Sequence, residues 1–322
     1  MTREHAKQTT KPNTKEDTGL YDYWPYKDRP KIVWPGGRKL AFWVAPNIEF
    51  YELNPPENPF RKSWSRPYPD IMPYSYRDHG NRVGNWRLME AMDDYGVRGS
   101  ISLSVAMCQH HPEIIDACRV RNWEFFSHGI YNTRYVYGMD EAQERAVLED
   151  SIRTVQQATG QRIRGYLAPA LTHTERTIRL LSEYDFYYSC DLFQDDQPQP
   201  LKTGNGKKLI SMPYSLEVND HYAFNVYGQS PMEYTDLLKR QFDTLLAEGE
   251  QSGTVMCIPI HAYLIGRAHR IDPFREILRY ATDHRDDVWV TTAVEIAEYY
   301  LEHYYDDALA HIRARKHGRG SS

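Results

Sequence analysis

The feature that most constrains this chain is an alternation. Short apolar runs suited to strands take turns with longer stretches of helical spacing over most of its length. The strand-like runs are 40–44, 99–103, 123–126, 164–167, 187–190, 209–212, 254–260 and 288–291. The helical patterns are 86–95, 112–121, 140–159, 174–184, 231–250, 273–283 and 292–304. Asp140 suits the N-cap of the longest helix and Gly160 its C-cap, and Gly96 closes the helix at 86–95. Such alternation argues for parallel strands covered by helices. Seven or eight strands in one uninterrupted run favour a closed barrel over a doubly wound sheet. No G-x-G-x-x-G turn follows a strand, which weakens the dinucleotide-binding alternative. The expected division is a disordered segment at 1–18, one barrel domain at 19–306 and a frayed tail at 307–322.

Composition removes several function classes. The net charge is −5 over 322 residues, so nucleic-acid binding has no electrostatic support. No apolar run reaches the roughly 18 residues of a membrane span. The polar stretch 1–17 lacks the apolar core of a secretory signal. Cys108, Cys118, Cys190 and Cys257 have no paired spacing and read as reduced core thiols. Together these features predict a cytoplasmic protein with a small-molecule substrate and no nucleic-acid or membrane partner.

The polar residues that follow the strands carry the chemistry. Glu49 comes after the first run, with Asn47 two residues before it. His128 follows the third, with Asn132 four residues on. Asp191 follows the fifth, with Asp195 and Asp196 beyond it. Asn219 and Asp220 lie past the sixth, and His261 directly follows the run 254–260. In an α/β barrel these positions share the rim where catalytic residues sit. Each alone has a plainer reading as a cap, a turn residue or a structural hydrogen bonder. Together they suit hydrolysis. A carboxylate can take a proton from water, and an imidazole can return one to a leaving nitrogen. No G-x-S-x-G elbow supports a serine nucleophile.

Four stretches then carry a family resemblance. They are Pro46-Asn47-Ile48-Glu49, the run from Gly80 to Leu88, the run from Asp191 to Pro198, and the run from His261 to Arg270. In this order and spacing the chain resembles the polysaccharide-deacetylase (NodB-homology) superfamily, and within it the allantoinase-like branch, over 34–304. The resemblance implies a distorted (β/α) barrel of seven to eight strands. It also implies hydrolysis of a non-peptide C–N bond in a small cyclic amide, imide or ureide, and a homo-oligomer, tetramer or dimer.

Departures from the family pattern matter as much. The metal-dependent deacetylases hold one divalent ion with an aspartate and two histidines spaced H-x-x-x-H, and an arginine holds a neighbouring aspartate base. Here Glu49 stands at the ligand aspartate and Asn47 at the base. His128 matches the first histidine, Asn132 replaces the second, and Leu167 stands near the arginine. Asn47 cannot serve as a base. One reading has no metal, with Glu49 and His128 activating water and His261 protonating the leaving nitrogen. The other has Glu49, His128 and Asn132 holding a divalent ion such as zinc. The first is favoured, because the donor set is poor for zinc.

Substrate binding is expected from Asn47, Arg82, Asp191, Asp195, Asp196, Asn219 and Arg267. The two arginines suit a carbonyl or carboxylate clamp, or else an ion pair with rim aspartates. The aspartates suit ureide N–H donors. His110 and His111 read as a helix cap, and His173 and His269 have no assigned role. The segment 51–77, rich in proline and aromatics, suggests an ordered lid or a subunit contact. The competing functions are a metal-dependent N-deacetylase of a sugar or peptidoglycan, and a non-catalytic binding protein on the same barrel.

Overall fold

The computed structural model describes residues 18–56, 69 and 71–318. The strands are β1 (Leu40–Ile48), β2 (Ser100–Leu103), β3 (Glu124–Ser127), β4 (Gly165–Tyr166), β5 (Tyr188–Ser189), β6 (Gln199–Pro200), β7 (Ile210–Ser211), β8 (Thr254–His261) and β9 (Val288–Val290). The helices are α1 (Ile71–His79), α2 (Asn85–Asp94), α3 (Met107–His110), α4 (Pro112–Val120), α5 (Glu141–Thr159), α6 (Thr177–Glu183), α7 (Pro231–Glu248), α8 (Ile271–Asp283), α9 (Ala293–His303) and α10 (Tyr305–Gly318). The strands form one curled sheet in the order β6-β7-β5-β4-β3-β2-β1-β8. Strand β9 pairs with Leu40–Phe42 of β1, below the point where β2 joins at Asn47. All pairs are parallel except β6 with β7. The two ends of the sheet approach where Val255 N–H donates to the Asp196 carbonyl at 2.9 Å. The architecture is thus the expected distorted (β/α) barrel, curled but incompletely laddered.

Period-two alternation decides which side chains point inward. Leu40, Phe42 and Val44 of β1 pack under the helices, in one cluster with Met256, Ile258 and Ile260 of β8. Ala41, Trp43 and Ala45 fill the barrel interior with Val255, Cys257, Phe126 and Tyr188. Parity then carries Asn47, Glu49 and His261 inward at the C-terminal ends of their strands. It does the same for His128, two residues beyond Phe126. All four cysteines are free thiols, and three are buried.

Helix α5 ends as its sequence dictates. Asp140 accepts from the Gln143 N–H in a capping box, and Gly160 adopts φ 77° at the C-cap. The structure corrects one expectation and adds to another. Within the segment 51–77, α1 begins at Ile71 and runs through a π-helical turn, Gly80–Gly84, into α2. That turn lies against the backbone of Ala262, so close that a Cβ on Gly84 would collide with its carbonyl. The tail expected at 307–322 is helical to Gly318. Ala308 and Ile312, one turn apart, are buried, and the Trp24 indole N–H bonds His311 Nδ1 at 2.9 Å. The reading from basic composition overlooked this i, i+4 apolar pair. The segment expected to be disordered at 1–18 lies outside the described residues, apart from Thr18. Among the described residues no helix is long and apolar enough to cross a membrane.

Candidate active site

Three strand ends bring Glu49, His128 and His261 together. Asn47 and His261 are register partners on β1 and β8, so Glu49 rises beside His261. His128 follows β3, where its backbone N–H bonds the Leu103 carbonyl at 2.8 Å. Glu49 Oε1 lies 3.2 Å from His128 Nε2 and 3.9 Å from His261 Nε2. All three side chains are buried.

Both imidazoles have a fixed orientation. His128 Nδ1 lies 3.0 Å from the Leu167 carbonyl, which can only accept, so Nδ1 carries a proton. His261 Nδ1 lies 2.6 Å from Asp220 Oδ1, and the other carboxylate oxygen takes the His261 backbone N–H at 2.8 Å. Each ring therefore turns Nε2 toward Glu49. Glu49 Oε2 is buried and has no hydrogen-bond partner among the described residues.

Electrostatics follows from this packing. Burial favours a neutral Glu49, but His128 and His261 overcome it and draw the carboxyl down to about 2. Burial disfavours the imidazolium of His261, yet Asp220 and then Glu49 together outweigh it and raise the group above its ordinary value. His221 stands with its ring centroid 5.9 Å from that of His261. Burial, then His261, lower its pKa.

The remaining predicted residues divide. Asn47 directs its amide nitrogen to the Ile260 carbonyl at 3.2 Å and the Tyr214 hydroxyl at 3.3 Å, a brace between strands. Asn132 donates to the Tyr51 hydroxyl. Asn219 accepts the His221 N–H at 2.8 Å and so shapes the turn that presents Asp220. Asp191 lies on the rim, bound to His173. His110 stacks on Phe50 at a centroid distance of 3.9 Å, and His111 precedes α4 as its cap.

Four substrate-binding expectations do not match the geometry. Asp195 is held by Arg29 in a bidentate pair at 2.8 and 2.6 Å. Asp196 meets Val255 near the start of β8, six residues or roughly 20 Å below His261. After β5 the chain runs away from the rim to enter antiparallel β6, and this carries both aspartates with it. Arg82 is exposed and paired with Asp78. Arg267 binds the carbonyls of Tyr263 and Tyr76, each at 3.0 Å, and lies over the Tyr76 ring. These two arginines brace surface and loop.

The cation that does approach the site is Arg77. It lines a depression with Phe50, Tyr51, Tyr74, Asp78 and Asn81. Its guanidinium lies 4.2 Å from the Tyr51 ring centroid and 5.6 Å from that of Tyr263. One nitrogen donates to the Pro73 carbonyl, and Nε is buried without a partner among the described residues. Arg77 and Asp220 are the residues sequence reasoning undervalued. Arg77 lies in the last turn of α1, a helix hidden by its tyrosines and proline, and only a contact with His261 distinguishes Asp220 from other rim aspartates.

A divalent ion fits these residues badly. Catalytic zinc takes three protein ligands. Among the described residues no three His, Cys, Asp or Glu side chains are placed to hold one ion. The third position has only the amide of Asn132, whose nitrogen faces Tyr51.

Known proteins supply the context. The family model described as polysaccharide deacetylase matches residues 70–189. A probable polysaccharide deacetylase from Pseudomonas aeruginosa PAO1 is similar in structure, with TM-score 0.76 and 28% identity, covering 86% of this chain and 96% of that one. A PuuE allantoinase is similar with TM-score 0.76 and 27% identity, covering 86% and 95%. No curated protein matches the sequence significantly. The chain thus matches the polysaccharide deacetylase model over part of its length, and its barrel is similar to those of a probable polysaccharide deacetylase and an allantoinase, as the resemblance implied.

Proposed function

We propose that this protein is a metal-independent amidohydrolase that opens a small cyclic amide, imide or ureide. The observation that carries the reading is the convergence of two Nδ1-anchored imidazoles on one buried carboxylate. Water attacks the ring carbonyl and passes a proton to the Glu49–His128 pair. Glu49 Oε1 and His128 Nε2, 3.2 Å apart, hold the proton taken from water between them. His261 Nε2 then protonates the ring nitrogen as the C–N bond breaks. The likeness to a PuuE allantoinase supports a ureide substrate.

Arg77 holds the carbonyl oxygen that is attacked or its ring neighbour. A hydrogen bond from a charged donor contributes about 1.5–3 kcal/mol. Arg77→Met is therefore expected to raise KM by at least about tenfold in steady-state assays. An unchanged KM and kcat/KM would remove Arg77 from the substrate site.

The function itself is tested on allantoin, hydantoins, cyclic imides and chito-oligosaccharides, with and without chelator. Ring opening that persists in chelator is the expected result. Failure of concentrated protein to open any ring would sink the proposal, and chelator-sensitive deacetylation of the oligosaccharide would replace it. Elemental analysis gives a separate check, since stoichiometric zinc in the active protein would overturn the metal-independent chemistry.

A further inference from the structure

A second histidine–aspartate pair lies one strand away from the reacting groups. His173 Nε2 is 2.6 Å from Asp191 Oδ2, which also accepts from Ser189 Oγ at 2.9 Å. The other oxygen of Asp191 accepts the Ala168 N–H at 2.7 Å. That N–H belongs to the same peptide group as the Leu167 carbonyl, which takes the Nδ1 proton of His128. One peptide plane thus joins the two histidines. The full chain runs from Glu49 through His128, the 167–168 peptide and Asp191 to His173. Hydrogen bonds in such a chain polarise one another.

The backbone beyond this peptide is held in an uncommon shape. Ala170 and Leu171 have φ of 51° and 56°, a region that non-glycine residues seldom adopt. Such backbone persists where its surroundings over-determine it, and it gathers at functional sites. The surroundings here can be named. Gly129, next to His128, has φ 68°, and a Cβ there would come within 2.6 Å of Pro169 Cγ. On the far side Thr174 Oγ1 donates to Glu144 Oε2 at 2.7 Å and ties the segment to α5. Between these anchors the turn folds back so that His173 reaches Asp191.

We infer that His173 and Asp191 are positioning residues. They fix the 167–168 peptide, and through it the Nδ1–H form and ring orientation of His128, so that Nε2 faces Glu49. This rests on the reading of His128 as a reacting group. As positioning residues they act on turnover, and their loss leaves substrate binding alone.

The test uses His173→Phe, which removes the donor at a partly exposed position, and His173→Gln, which restores an N–H toward Asp191. Asp191→Asn provides a second route that keeps an acceptor for Ala168 and removes the charge. The first readout needs no substrate. Nitrogen-15 NMR of the histidine rings reports which nitrogen of His128 carries the proton. The expected result is a shift of His128 toward the Nε2–H form in His173→Phe and Asp191→Asn, with wild-type behaviour in His173→Gln. Where a substrate is in hand, His173→Phe should lower kcat about tenfold at unchanged KM, and His173→Gln should recover most of it. Folded variants whose His128 resonances stay at wild-type positions would overturn the inference. So would a loss of melting temperature and kcat with no change at His128, which marks a purely structural clasp. If no cyclic substrate turns over in wild type, the functional reading fails while the tautomer result still decides this one.

Discussion

Replacing His261 by alanine lowers kcat for ring opening by at least about a hundredfold, or about 2.7 kcal/mol of barrier, on the usual scale for a lost proton donor. The size follows from the leaving group. An amide nitrogen departs poorly as an anion, so the proton must arrive as the bond breaks. His261 is built to supply it. Its Nδ1 is tied to Asp220, its Nε2 points at the reacting carboxylate, and it remains cationic to higher pH than a free imidazole because Asp220 and then Glu49 together overcome burial. Substrate contacts lie with Arg77 and its aromatic neighbours, so KM should change little. Single-turnover kinetics would separate the steps, and a wild-type rate in the alanine variant would remove His261 from the mechanism.

The parts legible in the sequence are those with a local cause. The long apolar run of β8 with a histidine at its end, and the capped helix α5, need only periodicity and cap chemistry to be read. Parity along β1 and β8 then turns Glu49 and His261 inward. The illegible parts depend on contacts between distant segments. Asp195 and Asp196 follow a strand as rim residues should, yet the entry into antiparallel β6 takes them elsewhere. Arg82 and Arg77 lie five residues apart and look equivalent as text. The helical path from α1 through its π-helical turn exposes the first and turns the second toward Tyr51. The two-residue strands β4, β5 and β7 carry little pattern of their own and are defined by their neighbours. Glycine at Gly84 reads as a plain helix interruption until Ala262 is seen against it.

Asp220→Asn should cost turnover about as much as removing His261, and should also change the pH profile. Asp220 is fully buried, and both of its oxygens accept from His261. An asparagine can offer only one acceptor there, so its amide nitrogen meets either the backbone N–H or the Nδ1–H. In the second case the amide donates to Nδ1, which then cannot carry a proton, so the ring stays neutral and the imidazolium acid is lost. The sign of the pH effect follows from the wild-type balance. Burial lowers the His261 pKa, but Asp220 and then Glu49 together raise it further, so the net shift is upward. The acid form is the active one, so wild-type activity falls only as pH climbs through that raised pKa. With the aspartate charge gone, burial is the leading influence left and the alkaline limb moves below the ordinary 6.5. Glu49 itself stays ionised down to about 2. Residues that act as one unit are not additive, so the double variant Asp220→Asn, His261→Ala should be hardly slower than either single one. An alkaline limb that stays put in Asp220→Asn, or a double variant showing the full product of the two losses, would separate Asp220 from the proton donor.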